Sequence, residues 1–106
     1  MQINSQFASD AGLAELVEKA YSGQELSPAE SRRFRHYVME YVTQSRMMYE
    51  LYRDGLIDEN EARDAFRAIR SASQHEAFRK VIEDTITGLR DFRCLILDAD
   101  GLERCL

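Results

Sequence analysis

The chain has 106 residues, 44% hydrophobic and 31% charged, with one proline, five glycines and a formal net charge of −5. That length is one domain's worth and buries roughly 65% of the unfolded surface without cross-links, and the apolar-to-charged balance sets disorder aside in favour of a helix-rich globule. The negative charge argues against non-specific nucleic-acid binding, and no apolar run approaches the ~20 residues of a membrane span, so a soluble, cytoplasmic protein without a targeting segment is expected.

The chain is expected to be a single helical domain over residues 1–106, opening with an arm over residues 1–9. From about Asp10 to Tyr21, Leu13, Leu16, Val17, Ala20 and Tyr21 recur at the spacing of an amphipathic helix, and Ser9 or Asp10 can cap its start. Gly23 then supplies a left-handed stop. The segment LSPAE restarts the chain, with Ser27 as N-cap, Pro28 at the first helical position and Glu30 closing a capping box.

A second helix is predicted from Pro28 to about Arg53, ~39 Å long at 1.5 Å per residue. Its apolar residues, Phe34, Tyr37, Val38, Tyr41, Val42, Met48, Tyr49, Leu51 and Tyr52, occupy an arc about 180° wide, broader than the ~100° stripe of a helix with one neighbour. More than one partner must therefore cover it. The opposite side carries Arg32, Arg35, Arg46 and Arg53, with Met39 among them.

A third helix follows, with Ala62, Ala65, Phe66 and Ile69 inward and Arg63, Arg67 and Arg70 along a flank; the alanines permit a close approach. The segment SASQHE offers Ser73 and Glu76 as a further capping box, an unbroken helix through Ser71 to Ser73 being the alternative. A fourth helix is predicted to about Leu97. Phe78, Val81, Ile82, Ile86, Leu89, Phe92, Ile96 and Leu97 share one of its faces, with Gly88 at the edge. Residues 98–106 read as a turn and tail. No alternating run signals a strand. The expected fold is all-α: a four-helix, largely antiparallel bundle with one long central helix.

The segment YRDGLIDENEARDAF, Tyr52 to Phe66, invites two readings. As a calcium-binding EF-hand loop its back half fits, with Gly55 sixth and Glu61 twelfth, but the first and third positions fall on Glu50 and Tyr52. A phenol is not a hard anionic ligand, and the shell is incomplete. As a helix joint every residue has a role: Gly55 stops one helix, Asp58 caps the next and Glu61 completes the box. The joint reading is preferred, and no metal is expected. The DADG segment at Asp98 to Gly101 has no twelfth position before Leu106.

Other chemistries fare no better. A helix-turn-helix reader needs apolar residues where Glu61 and Asp64 stand, and carboxylates there repel phosphate. His36 and Glu40 share a helical face, but neither Glu-x-x-His nor His-Glu-x-x-His occurs, so they read as a solvated pair. His75 falls in a cap region. Cys94 and Cys105 match no zinc motif or prenylation signal and read as free thiols in a reducing compartment. No catalytic residue, cofactor or metal ligand is assigned. The tyrosines of the second helix read as packing rather than a base-stacking platform.

Taken together, ELYRDGLIDENEARDAFRAIR resembles a recurring segment of small bacterial helical proteins whose role is unassigned, often found behind transmembrane helices. In these a tyrosine-bearing helix ends in a glycine turn before a capped helix. The resemblance extends over Leu13 to Leu95 and implies a bacterial, helical, non-enzymatic domain, carrying over no functional residue. The function expected is a protein-interaction or regulatory module. A compact domain of this size has a radius of gyration near ~13 Å, which a ~39 Å helix outruns, so a homodimer is expected with Tyr41, Met48 and Tyr52 near its seam. The alternative is a small nucleic-acid-associated regulator using Arg32, Arg35, Arg46 and Arg53.

Overall fold

The structure is a computed structural model and describes residues 11–85, 94–96 and 105. It is all-helical, with no strand among the described residues: α1 (Ala11–Tyr21), α2 (Pro28–Arg53), α3 (Glu59–Ala72) and α4 (Glu76–Thr85), plus a helical turn at residues 94–96. The N-terminal arm with its cap at Ser9 or Asp10, the path through Gly88, the apolar face from Ile86 to Phe92, and Leu97 lie outside the described residues. So does most of the tail.

The joints between α1 and α2 and between α2 and α3 are built alike. Gly23 has φ +82° and Gly55 φ +78°, a region closed to most L side chains. At the first joint the Gly23 N–H donates to Ala20 O (3.2 Å) and the Gln24 N–H to Lys19 O (3.2 Å). At the second, the Gly55 N–H donates to Tyr52 O (3.0 Å) and the Leu56 N–H to Leu51 O (2.8 Å). Both are Schellman closures, which satisfy carbonyls that a helix end leaves unpaired.

Each restart is a two-way cap. The Glu30 N–H donates to Ser27 Oγ (3.2 Å) while the Ser27 N–H donates to Glu30 Oε1 (2.8 Å). Likewise the Glu61 N–H donates to Asp58 Oδ1 (2.8 Å) and the Asp58 N–H to Glu61 Oε1 (3.4 Å). The carboxylates that an EF-hand would direct at calcium are thus turned towards backbone amides.

The third joint departs from expectation. Ser73 does not cap α4: it closes α3, and its hydroxyl donates backwards to Ile69 O (2.7 Å). The reason is burial. Ser73 is only 3% exposed, so its hydroxyl takes the carbonyl within reach rather than remain unsatisfied. The chain continues through tight turns, Gln74 N–H to Ser71 O and His75 N–H to Ala72 O, before α4 starts.

The long helix contacts each of the other three, and α1 also contacts α4. Phe34, Val38 and Val42, one helical turn apart, are buried on α2. Leu16 and Ala20 from α1, Ala62, Phe66 and Ile69 from α3, and Phe78 and Ile82 from α4 complete the core around them. Met39, which periodicity places among the arginines, also packs against this core, with Thr85 Oγ1 3.7 Å from its sulfur. The end of α4 therefore reaches round the side of α2 that looks polar in sequence. The longest dimension of the structure is 40 Å and its radius of gyration 14.8 Å, so the body is elongated and α2 does not outrun it.

The expectation of two free thiols is overturned. Cys94 and Cys105 are bonded, with Cα atoms 6.0 Å apart, a span that a disulfide covers. Beside them Leu95 and Ile96 are buried in the core, and the Arg70 guanidinium donates to the Leu95 carbonyl. Thiol titration of the denatured, unreduced protein should find no reactive thiol, and two after reduction; two before reduction would contradict the pairing. Asp58→Ala should cost about 0.5–2 kcal/mol by loss of the cap, read as a lowered midpoint in urea denaturation, and an unchanged midpoint would contradict the cap's role.

Candidate interaction site on the long helix

The residues expected at a dimer seam separate in the structure. Tyr41 is half-buried within the chain, its ring edge-on to Tyr37 (5.3 Å between centroids) and to Phe78 of α4 (5.5 Å). Met48 lies seven residues further on, ~10 Å along the axis. Met48 and Tyr52 are half-buried at the far end of α2, where Tyr52 packs against the core. At that same end stand the exposed large hydrophobics among the described residues, Met47 (57% exposed) and Leu56 (70%). Met47 and Leu51 are neighbours at i, i+4, and Leu56 is tied to Leu51 by its N–H. Leu56 follows the glycine, where an apolar residue ordinarily folds back on its helix; here it faces outward.

The four arginines of the basic face also part company. Arg46 pairs with Glu50 (3.4 Å) and Arg53 lies over the Tyr49 ring, 5.9 Å from its centroid. Arg32 and Arg35 instead line a cleft between the first half of α2 and α4, with Lys80 and Asp84 across from them. Lys80, Asp84, Met47 and Leu56 were not singled out in sequence. The i, i+4 spacing of Lys80 and Asp84 was visible, but which face of α2 they would meet was not.

Between these ends lies an aromatic cluster. Tyr21 of α1 stacks on His75 (3.7 Å, 5° between planes) and meets Phe34 edge-on at 6.1 Å, and Tyr37 lies between Phe34 and Tyr41. The three phenols influence one another in series, Tyr41 with Tyr37 and Tyr37 with Tyr21, the signs of their shifts making Tyr41 the donor end. Tyr41 at the donor end is pushed up to about 12, first by the hydrogen bond it must keep as a neutral phenol and then by burial. For Tyr21 and Tyr37 burial is the leading cause of a smaller rise.

Glu30 holds α1 to α2. Besides capping α2, its carboxylate accepts from Lys19 Nζ at 3.1 Å. The Ser27 backbone N–H, then Lys19, hold it below the ordinary carboxylate range.

Comparison with known protein families, curated proteins and solved structures finds no match to this chain.

Two pH responses follow. Glu30 is depressed in the folded state, so its contribution is present above the ordinary carboxylate range and lost as pH falls through its lowered value. Glu30→Gln should flatten the acid limb of a stability-against-pH curve measured by urea denaturation. An acid limb identical to that of the parent would contradict the clamp. Tyr41 is raised, so stability is full below the ordinary phenol value of 10.0 and falls as pH rises towards about 12. Tyr41→Phe should lessen that alkaline fall, and an unaltered one would contradict the hydrogen-bonded series.

Proposed function

We propose that the chain is a non-enzymatic interaction module, a four-helix, largely antiparallel bundle that self-associates through the far end of α2. The observation that carries this is the grouping of Met47 and Leu56, both more than half exposed, with the half-buried Met48, Leu51 and Tyr52. Single exposed apolar residues are ordinary on a protein surface, whereas a contiguous group at one end of a helix marks an interaction surface. A two-fold arrangement would bring the same group from each copy together, giving a closed pair rather than a filament. Tyr41 stands at the margin of such a seam, since Phe78 and Tyr37 already engage its ring. Helix length lends the pair no support, because the body is itself 40 Å long.

The arginines favour this reading over the nucleic-acid one. With Arg46 and Arg53 engaged by Glu50 and Tyr49, they do not form one continuous row of cations with Arg32 and Arg35, as tracking a phosphate backbone requires. Location is less constrained than in the sequence reading. No helix among the described residues is long and apolar enough to cross a membrane, but the reducing compartment read from two free thiols loses its support once they are paired. A disulfide persists most readily in an oxidising compartment.

Light scattering over a dilution series tests the pairing. The mass should approach twice 12.3 kDa at high concentration and fall towards 12.3 kDa on dilution, while Met47→Glu with Leu56→Glu should hold it at the lower value throughout. The lower mass for the parent chain at every concentration would contradict the proposal.

A further inference from the structure

At the opposite end of α2 from the proposed seam, the cleft lined by Arg32 and Arg35 has the chemistry of a ligand site. Arg32 and Arg35 stand at i, i+3 on α2, and Lys80 and Asp84 at i, i+4 on α4; all four line the space between the helices. None of the three cations is held in an ion pair among the described residues, unlike Lys19, Arg46, Arg63, Arg67 and Arg79. Asp84 is likewise unpaired. The cleft thus carries a net of two positive charges on a chain whose formal net charge is −5. A local field of sign opposite to that of the whole molecule draws in anions.

The floor is of another kind. Phe34 is buried there, and Leu26, Val81 and Ala77 are half-buried beside it. Apolar lining with a few polar groups at the mouth is the usual composition of a small-molecule site. The cleft is an open one of about 560 Å³, a volume within the ~300–1,000 Å³ range of small-molecule sites. A docked helix would need a longer groove with several anchor points in register.

We propose that this cleft binds a small amphipathic anion: a compact, doubly charged head such as a phosphate, joined to a flat or branched apolar body. Arg32 and Arg35 supply forked guanidinium donors to the head and Lys80 a third positive charge. The apolar body covers Leu26, Phe34 and Val81. Asp84 disfavours a more highly charged anion by reducing the positive charge that it meets. The site does not depend on self-association, because Met47 and Leu56 lie at the other end of α2.

Isothermal titration with 1-naphthyl phosphate, a soluble molecule of this class, tests the site. Saturable binding is expected, weakening as salt is raised. Inorganic phosphate, which lacks the apolar body, and 1-naphthol, which lacks the charge, should each bind about tenfold more weakly or worse. Arg32→Glu with Lys80→Glu should lower affinity for 1-naphthyl phosphate at least ~10-fold, whereas Arg67→Glu on α3 should leave it unchanged. The replaced residues are exposed, and circular dichroism should show parental helicity; Arg35→Ala is a milder variant with the same expected direction. Absence of binding, parental affinity in the cleft variants, or inorganic phosphate binding as tightly as 1-naphthyl phosphate would overturn the proposal. So would displacement of 1-naphthyl phosphate at lower concentration by an acidic peptide with an apolar anchor, which would make the ligand a protein segment.

Discussion

Phe34, Val38 and Val42 lie one turn apart along α2, and the rest of the molecule is arranged by the need to cover them. A helix whose apolar arc spans about half its circumference cannot be satisfied by one neighbour. Here the work is divided along its length and around it. Leu16 and Ala20 of α1 and Phe78 and Ile82 of α4 join Phe34 and Val38 in the core, while α3 follows the turn after Arg53 and contributes Ala62, Phe66 and Ile69. The fully buried Ala62 has no side chain beyond its Cβ, which lets backbones approach closely, and Phe66 fills the volume one turn on. Loss of any covering helix would return large apolar side chains of α2 to water, so the elements stand or fall together.

Polar interactions fix how the helices meet more than how strongly they hold. The Lys19–Glu30 pair is about a third exposed at both side chains, and ion pairs of that kind add little net stability. Its value is geometric: one carboxylate closes the cap of α2 and ties α1 to it, setting the angle at which Tyr21 arrives over Phe34. The aromatic contacts then carry that placement across to His75 and Phe78. Other ion pairs among the described residues, Arg46–Glu50, Arg63–Glu59, Arg67–Asp64 and Arg79–Glu83, join residues three or four apart on a single helix. They stiffen surfaces without joining elements.

The parts of this arrangement legible in the sequence were those whose chemistry is local. Gly23 with Ser27, Pro28 and Glu30, and Gly55 with Asp58 and Glu61, announce their turns because stop and cap depend on residues within one or two turns of each other. The inward face of α3 was readable from period for Ala62, Phe66 and Ile69, which are buried, whereas Ala65, also read as inward, is only half-buried at the edge of that face. Ser73 was misread because both of its hydrogen-bonding options, forward to a cap and back to Ile69, are chemically sound until burial selects one. Met39 was misplaced because helical period reports the average core direction of α2, not the path of α4 around it. The cysteines, eleven residues apart, gave no local sign of meeting. The proposed binding surfaces were the least legible: Arg32 and Arg46 look equivalent on a helical wheel, and only the position of Glu50 or Lys80 in space separates them.

The long helix thus serves two ends, one apolar and exposed, the other basic and hollow, with a continuous core between. That continuity is the central claim, and native-state hydrogen exchange tests it most directly. If α2 is held as one unit by three helices, the amides of Val38, Val42, Phe66, Ile69 and Ile82 should share a single protection free energy, equal to that of global unfolding by urea. Exchange of Phe66 and Ile69 at much lower protection than Val38 would show that α3 opens independently, and would contradict the account of one core built around α2.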